Sequence, residues 1–168
     1  MKKKILLYFF SLIFFFNSTN TFGNIVFIDV DFVIKNSNIG KISLKKLEDI
    51  NNENLESLKQ KQSELKNLEE DLNNKKNIIS SDEFNKELTE LKAKFKSFNS
   101  EKEKMANNFK SIQNNEISSV LKKINSVIQE YMNTNAIDLV LDKKNIFIGK
   151  VSSDITEKIL TEVNIKFK

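Results

Sequence analysis

Not one proline interrupts this 168-residue chain, and only three glycines do. Proline ends helix interiors because it lacks the amide donor and its ring clashes with the preceding turn, so its absence permits very long helices. The middle of the chain uses that freedom. From position 44 to 79 a seven-residue series runs through Leu44, Asn51, Leu58, Leu65, Leu72 and Ile79. The companion positions are thinner: Leu47 and Leu68 are apolar, but Asn54, Lys61 and Lys75 are not. Charges fill the remainder ("KQKQSELKNLEEDLNNKK"), which describes a narrow coiled-coil seam rather than a broad amphipathic face.

A break is expected near 77–82. Ser80 with Glu83 makes a capping-box pattern there, and the acids that follow favour a new helix N-terminus. The second helix carries a denser stripe: Phe84, Leu88, Leu91, Phe95, Phe98, Met105, Phe109 and Ile112, with Lys102 as its polar interruption. Beyond Ile112 the phase slips by one residue, to Ile117, Leu121, Ile124, Ile128 and Tyr131. Val120 and Val127 widen the face, as where a helix leaves a thin seam for a fuller core. The pattern predicts one antiparallel helical hairpin. Helices of about 37 and 50 residues would reach roughly 55 and 75 Å, farther than any small core can cover.

Strand text flanks the hairpin. Ile25 to Ile28 and Val30 open it; at the far end Ile137, Leu139 and Leu141 alternate with Asp138, Val140 and Asp142. "KKN" then reads as a turn into Ile146, Phe147 and Ile148, a β-hairpin. In "SDITEKILTEV" Asp154 is expected as N-cap, with Glu157 at the third helical position and Ile155, Ile159, Leu160 and Val163 as the buried stripe. The segments near 25–30, 137–142 and 146–148 are too apolar to stay single and should pair in one small sheet. Three short strands need a covered face, so the body is expected to be shared between copies. Candidates for that contact are Ile25, Phe27, Ile28, Val30, Leu139, Leu141 and Phe147. The fold class is α+β, a long coiled-coil hairpin projecting from a small β-sheet body. Its expected divisions are 24–40 for the first strand and a short helix, 41–134 for the hairpin, and 135–168 for a β-hairpin and helix completing the body. Gly40 and Gly149 read as positions set by backbone geometry.

Residues 1–23 are different text. A basic start (Lys2 to Lys4), a 12-residue apolar run from Ile5 to Phe16, and a polar stretch ending at Gly23 follow the pattern of a cleaved secretory leader. A membrane anchor would need roughly 20 apolar residues. With the leader go three of the 27 cations, leaving 24 lysines against 23 acids, a net charge of +1. No arginine occurs, and lysines alternate with acids as on solvated helices, so the high pI is no sign of nucleic-acid binding. Cysteine and histidine are absent, which excludes Cys or His nucleophile–base pairs and the usual zinc sites. No catalytic constellation, metal site or cofactor motif stands at a recognisable spacing.

The stretches "IVFIDVDFVIKNSNIGKISLKKLED" and "AIDLVLDKKNIFIGKVSSDITEKILTEVN", with the charged, proline-free hairpin between them, resemble the Skp/OmpH-like periplasmic chaperones over residues 24–166. The resemblance implies an ATP-independent holdase and not an enzyme. It implies a homotrimer whose β-body bears three helical tentacles around a cavity for unfolded outer-membrane proteins. Some members bind lipopolysaccharide through arginine clusters; this chain has none, and that site is not carried over. Candidate client contacts are Phe84, Phe95, Phe98, Met105 and Phe109, whose alternative role is to fill the helix seam against Leu58, Leu65 and Leu72. Lys75, Lys76 and Lys86 near the tip are candidates for acidic client segments or an anionic lipid surface. The competing reading is a coiled-coil spacer or adaptor of the cell envelope, whose seam would bury all its apolar surface.

Overall fold

The computed structural model describes residues 23–168; the leader expected over 1–23 lies outside them except for Gly23. The chain runs β1 (Ile25–Ile28), α1 (Val30–Asn36), α2 (Asn38–Lys75), α3 (Ser81–Thr134), β2 (Leu139–Asp142) and α4 (Thr156–Lys166), with one-turn 3₁₀ helices at Lys143–Asn145 and Val151–Ser153. Among the described residues no helix is long and apolar enough to cross a membrane.

Local chemistry sets each boundary. The Asp29 carboxylate accepts the Phe32 N–H at 2.9 Å and caps α1. Ser37 then serves both sides of a corner: its N–H donates to the Val33 carbonyl, and its hydroxyl accepts the Gly40 N–H at 3.2 Å. The corner is so tight that a Cβ on Gly40 would lie 1.6 Å from the Ile34 carbonyl oxygen. The helices of the hairpin, α2 and α3, have 38 and 54 residues, or about 57 and 81 Å at 1.5 Å per residue. Residues 76–80 join them, and the Ser80 hydroxyl accepts the Glu83 N–H at 3.3 Å to start α3. At the other end of α3, Ala136 takes a left-handed φ of 50°, and the Ile137 N–H returns to the Met132 carbonyl.

The sheet has two strands, β1 and β2, paired in parallel with Ile25 beside Leu139 and Phe27 beside Leu141. The β-hairpin expected over 137–148 does not form. A three-residue hairpin loop such as Lys143–Asn145 ends on a left-handed residue, and among the described residues only Ala136 has positive φ. Instead the Asp142 carboxylate accepts the Lys144 N–H at 3.1 Å and winds residues 143–145 into a 3₁₀ turn. Residues 146–148 are therefore not a strand. The second edge of β1 is met by Asp154 and Ile155, whose N–H donates to the Phe27 carbonyl at 2.9 Å. Asp154 sits one residue farther from α4 than an N-cap would, accepting the Thr156 N–H at 3.0 Å.

Val26 and Ile28 on one face of the sheet, Val33 and Ile34 on α1, Val120, Ile124, Val127 and Ile128 on α3, and Ile155, Ile159 and Val163 beside and on α4 close one core. A separate cluster of Leu65, Leu72 and Leu91 lies far out along the hairpin, with Phe84, Leu88 and Phe98 packed against it. The body and the arm are thus held by different groups of residues.

Candidate functional site

Two apolar surfaces remain uncovered, one on the body and one on the arm. Side chains alternate across a strand, so Val26 and Ile28 face the core while Ile25 and Phe27 face away, beside Leu139 and Leu141. Of that outward set only Phe27 is covered. A Cβ on Gly149 would meet the Phe27 ring at 2.7 Å, so Gly149 lets the segment after β2 lie directly on it. Neither this glycine nor Gly40 needs positive φ; both are sites of close approach. Ile25, Leu139 and Leu141 stay exposed, and the same segment adds a fully exposed Phe147, with Ile148 and Val151 at 85% and 90%.

The expected body contacts thus divide. Ile25, Leu139, Leu141 and Phe147 are available to a second copy, whereas Phe27, Ile28 and Val30 are occupied within their own chain. Ile148, expected as part of a strand, and Val151, which the sequence reading did not single out, also belong to the exposed set. Their signal was the density of large apolar residues from Ile146 to Val151.

Polar contacts fix the base of that segment. Lys143 Nζ lies 2.8 Å from Asp154 Oδ2, and Lys144 Nζ lies 3.4 Å from both Asp31 and Asp142. Burial alone would raise the Asp154 carboxyl, but the Lys143 ammonium and the Thr156 hydroxyl and N–H outweigh it and hold the group below its ordinary value. The hydrogen bond to Asp154 raises Lys143 in turn, and the hydrogen bond to Asp31 raises Lys144. Asp29 N–H donates to the Thr156 hydroxyl at 2.9 Å, so this network joins β1, the segment and α4.

Along the arm the seam is closed at both ends and open between them. No residue of α2 between Leu47 and Leu65 is buried, and none of α3 between Leu91 and Val120. The facing positions explain why: α2 offers Asn51, Asn54 and Lys61, which cannot seal a seam, and Lys61 turns to Glu101 instead. Near the body Lys46 makes a similar ion pair with Glu116, and that contact holds the Glu116 carboxyl below its ordinary value.

The stripe residues are distributed accordingly. Phe84 and Phe98 pack half-buried on the outer cluster, while Met105 and Phe109 are half-buried outside both clusters. Phe95 is exposed. At the tip, Lys75 lies 3.2 Å from Glu87, and Lys76 and Lys86 are exposed. Ile78, exposed beside these lysines, was missed because it falls off the heptad series. The tip lysines are outnumbered: residues 64–90 hold eight carboxylates against four lysines, a net of −4. The next stretch, 91–110, holds six lysines against two glutamates, a net of +4. Among the described residues no group of three or more acidic side chains could hold a metal ion.

A family described as "Outer membrane protein (OmpH-like)" matches residues 24–163. Among solved structures the chain is similar to a crystal structure of an OmpH-like protein from Caulobacter crescentus. The two share 18% identity and a TM-score of 0.81, over 92% of each chain. Among curated proteins no relative matches.

Proposed function

The chain belongs to the OmpH-like family, and from that premise we propose that it is a chaperone of the periplasm, exported by its leader. It holds unfolded outer-membrane proteins without nucleotide. Three copies join through the outward face of the sheet and the segment bearing Phe147, Ile148 and Val151, and three arms enclose a cavity. The observation that carries the reading is the open stretch of the seam. Phe95, Phe98, Met105 and Phe109 lie on α3 where nothing is fully buried, so apolar surface is left over after the two helices have packed. A spacer needs no such surface; a holdase does. Phenylalanine and methionine suit many partners because their contacts adapt.

Grip then arises from many weak contacts, each at roughly 25 cal/mol per Å² of apolar surface covered. The lysines of residues 91–110 add salt-sensitive attraction for acidic client segments. The tip is a poor anchor for an anionic lipid surface, because its acids outnumber Lys75, Lys76 and Lys86. Binding several chemically unrelated unfolded chains, beside a panel of folded envelope proteins, tests the reading. The proposal expects micromolar or tighter binding to the unfolded chains; affinity for one folded protein alone supports the spacer instead.

A further inference from the structure

We infer that each arm carries a second grip of opposite charge: a groove on its outer half that takes apolar segments flanked by lysine or arginine. The inference rests on the chaperone reading and adds the class of segment held at this place. Two adjoining depressions of about 220 and 300 Å³ lie between α2 and α3 and share Leu68 and Lys94. Leu65, Leu72, Leu91 and Phe98 line them, and these belong to the outer cluster, so the lining is fixed by packing. Leu68 stands 40% exposed between the two depressions and gives a bound chain an apolar contact.

The rim decides what fits. It carries Glu64, Glu87, Glu90 and Glu101 against Lys61 and Lys94. Lys61 is neutralised by Glu101, and Glu87 by Lys75. Among the described residues Glu64 and Glu90 have no ionic partner, and Glu64 accepts only a neutral hydrogen bond from Gln60 at 3.1 Å. The rim itself thus carries four carboxylates against two lysines, a net of −2, and the acid-rich stretch 64–90 supplies its excess while the α3 wall from Leu91 to Glu101 brings the opposing Lys94. An apolar segment with cationic flanks satisfies both lining and rim, whereas an acidic one is disfavoured here and suits the lysines beyond the groove, Lys102, Lys104 and Lys110. Opposite zones on one arm would let it hold different parts of the same unfolded chain.

The absence of cysteine allows a direct test. Leu68→Cys and Thr161→Cys each place one thiol at an exposed position, the first in the groove and the second on α4 of the body, away from the arm. The probes are two unstructured peptides with the same leucine and phenylalanine content, one flanked by lysines and one by glutamates. At low ionic strength the lysine-flanked peptide should bind about tenfold more tightly. It should slow maleimide alkylation at position 68 and leave position 161 unchanged. Reversing Glu64 and Glu90 to Lys, both exposed and so compatible with folding, should erase the preference. The inference is overturned by equal binding, by a preference that survives the reversal, or by no protection at position 68, in a protein that still suppresses client aggregation. A protein that suppresses no aggregation overturns the chaperone reading and this inference with it.

Discussion

Phe147→Ser separates folding from assembly. In the single chain this side chain is fully exposed, so its loss removes nothing from the protomer's own core. If copies join through this segment, the same side chain becomes buried, and its full burial contributes roughly 3 kcal/mol. That is about a hundredfold in the dissociation constant for each contact, and a closed ring of three repeats the contact three times. Sedimentation velocity over a concentration series should show the variant dissociating where the wild type remains assembled. Far-UV circular dichroism of concentrated samples should coincide. Phe27→Ser is the contrast, because Phe27 is buried under Gly149 within its own chain and its loss should cost about 3–5 kcal/mol of protomer stability. Unchanged assembly by Phe147→Ser, or a wild type that is a monomer at high concentration, would refute the reasoning.

Three further outcomes follow from local geometry. Gly40→Ala must push the α1–α2 corner apart, since its Cβ would sit 1.6 Å from a carbonyl oxygen; urea unfolding should show a loss of about 3 kcal/mol or more. Ala136→Gly relieves the left-handed φ of 50° at the end of α3 and should stabilise by about 1 kcal/mol in the same assay. Asp154 is held below its ordinary value, so its contribution is present above the unfolded-state value near pH 4 and is lost as pH falls through the lower folded value. Proteolysis of the segment 143–154 by pepsin should therefore quicken at the acid end of that window, and Asp154→Asn should remove the dependence.

The helical hairpin was legible because its signals are local. The heptad series, the absence of proline and the Ser80–Glu83 cap each act within a few residues, and together they locate the two helices and their turn. The core side of the body was legible for the same reason, through the widened face at Val120 to Ile128 and the stripe Ile155, Ile159 and Val163. The segment after β2 was not. Ile146, Phe147 and Ile148 look like a strand, but strand formation there depends on a turn conformation that residues 143–145 do not adopt. The two glycines misled in another way. Each was read as a matter of backbone freedom, whereas Gly40 makes room for a carbonyl of α1 and Gly149 for a ring on β1, contacts that only the tertiary arrangement creates. The lysines at the tip were visible one by one. The acids that outnumber them were equally countable over residues 64–90.

The central claim is that the apolar surface left open on α3 holds unfolded chains. Its most direct test is the aggregation of an unfolded β-barrel membrane protein, without nucleotide, at one trimer per client. The wild type should suppress aggregation. Replacing Phe95, Phe98 and Phe109 together by Ser should weaken that suppression several-fold while sedimentation shows the assembly intact. A wild type that leaves aggregation unchanged at this ratio contradicts the account and turns the arm into a spacer.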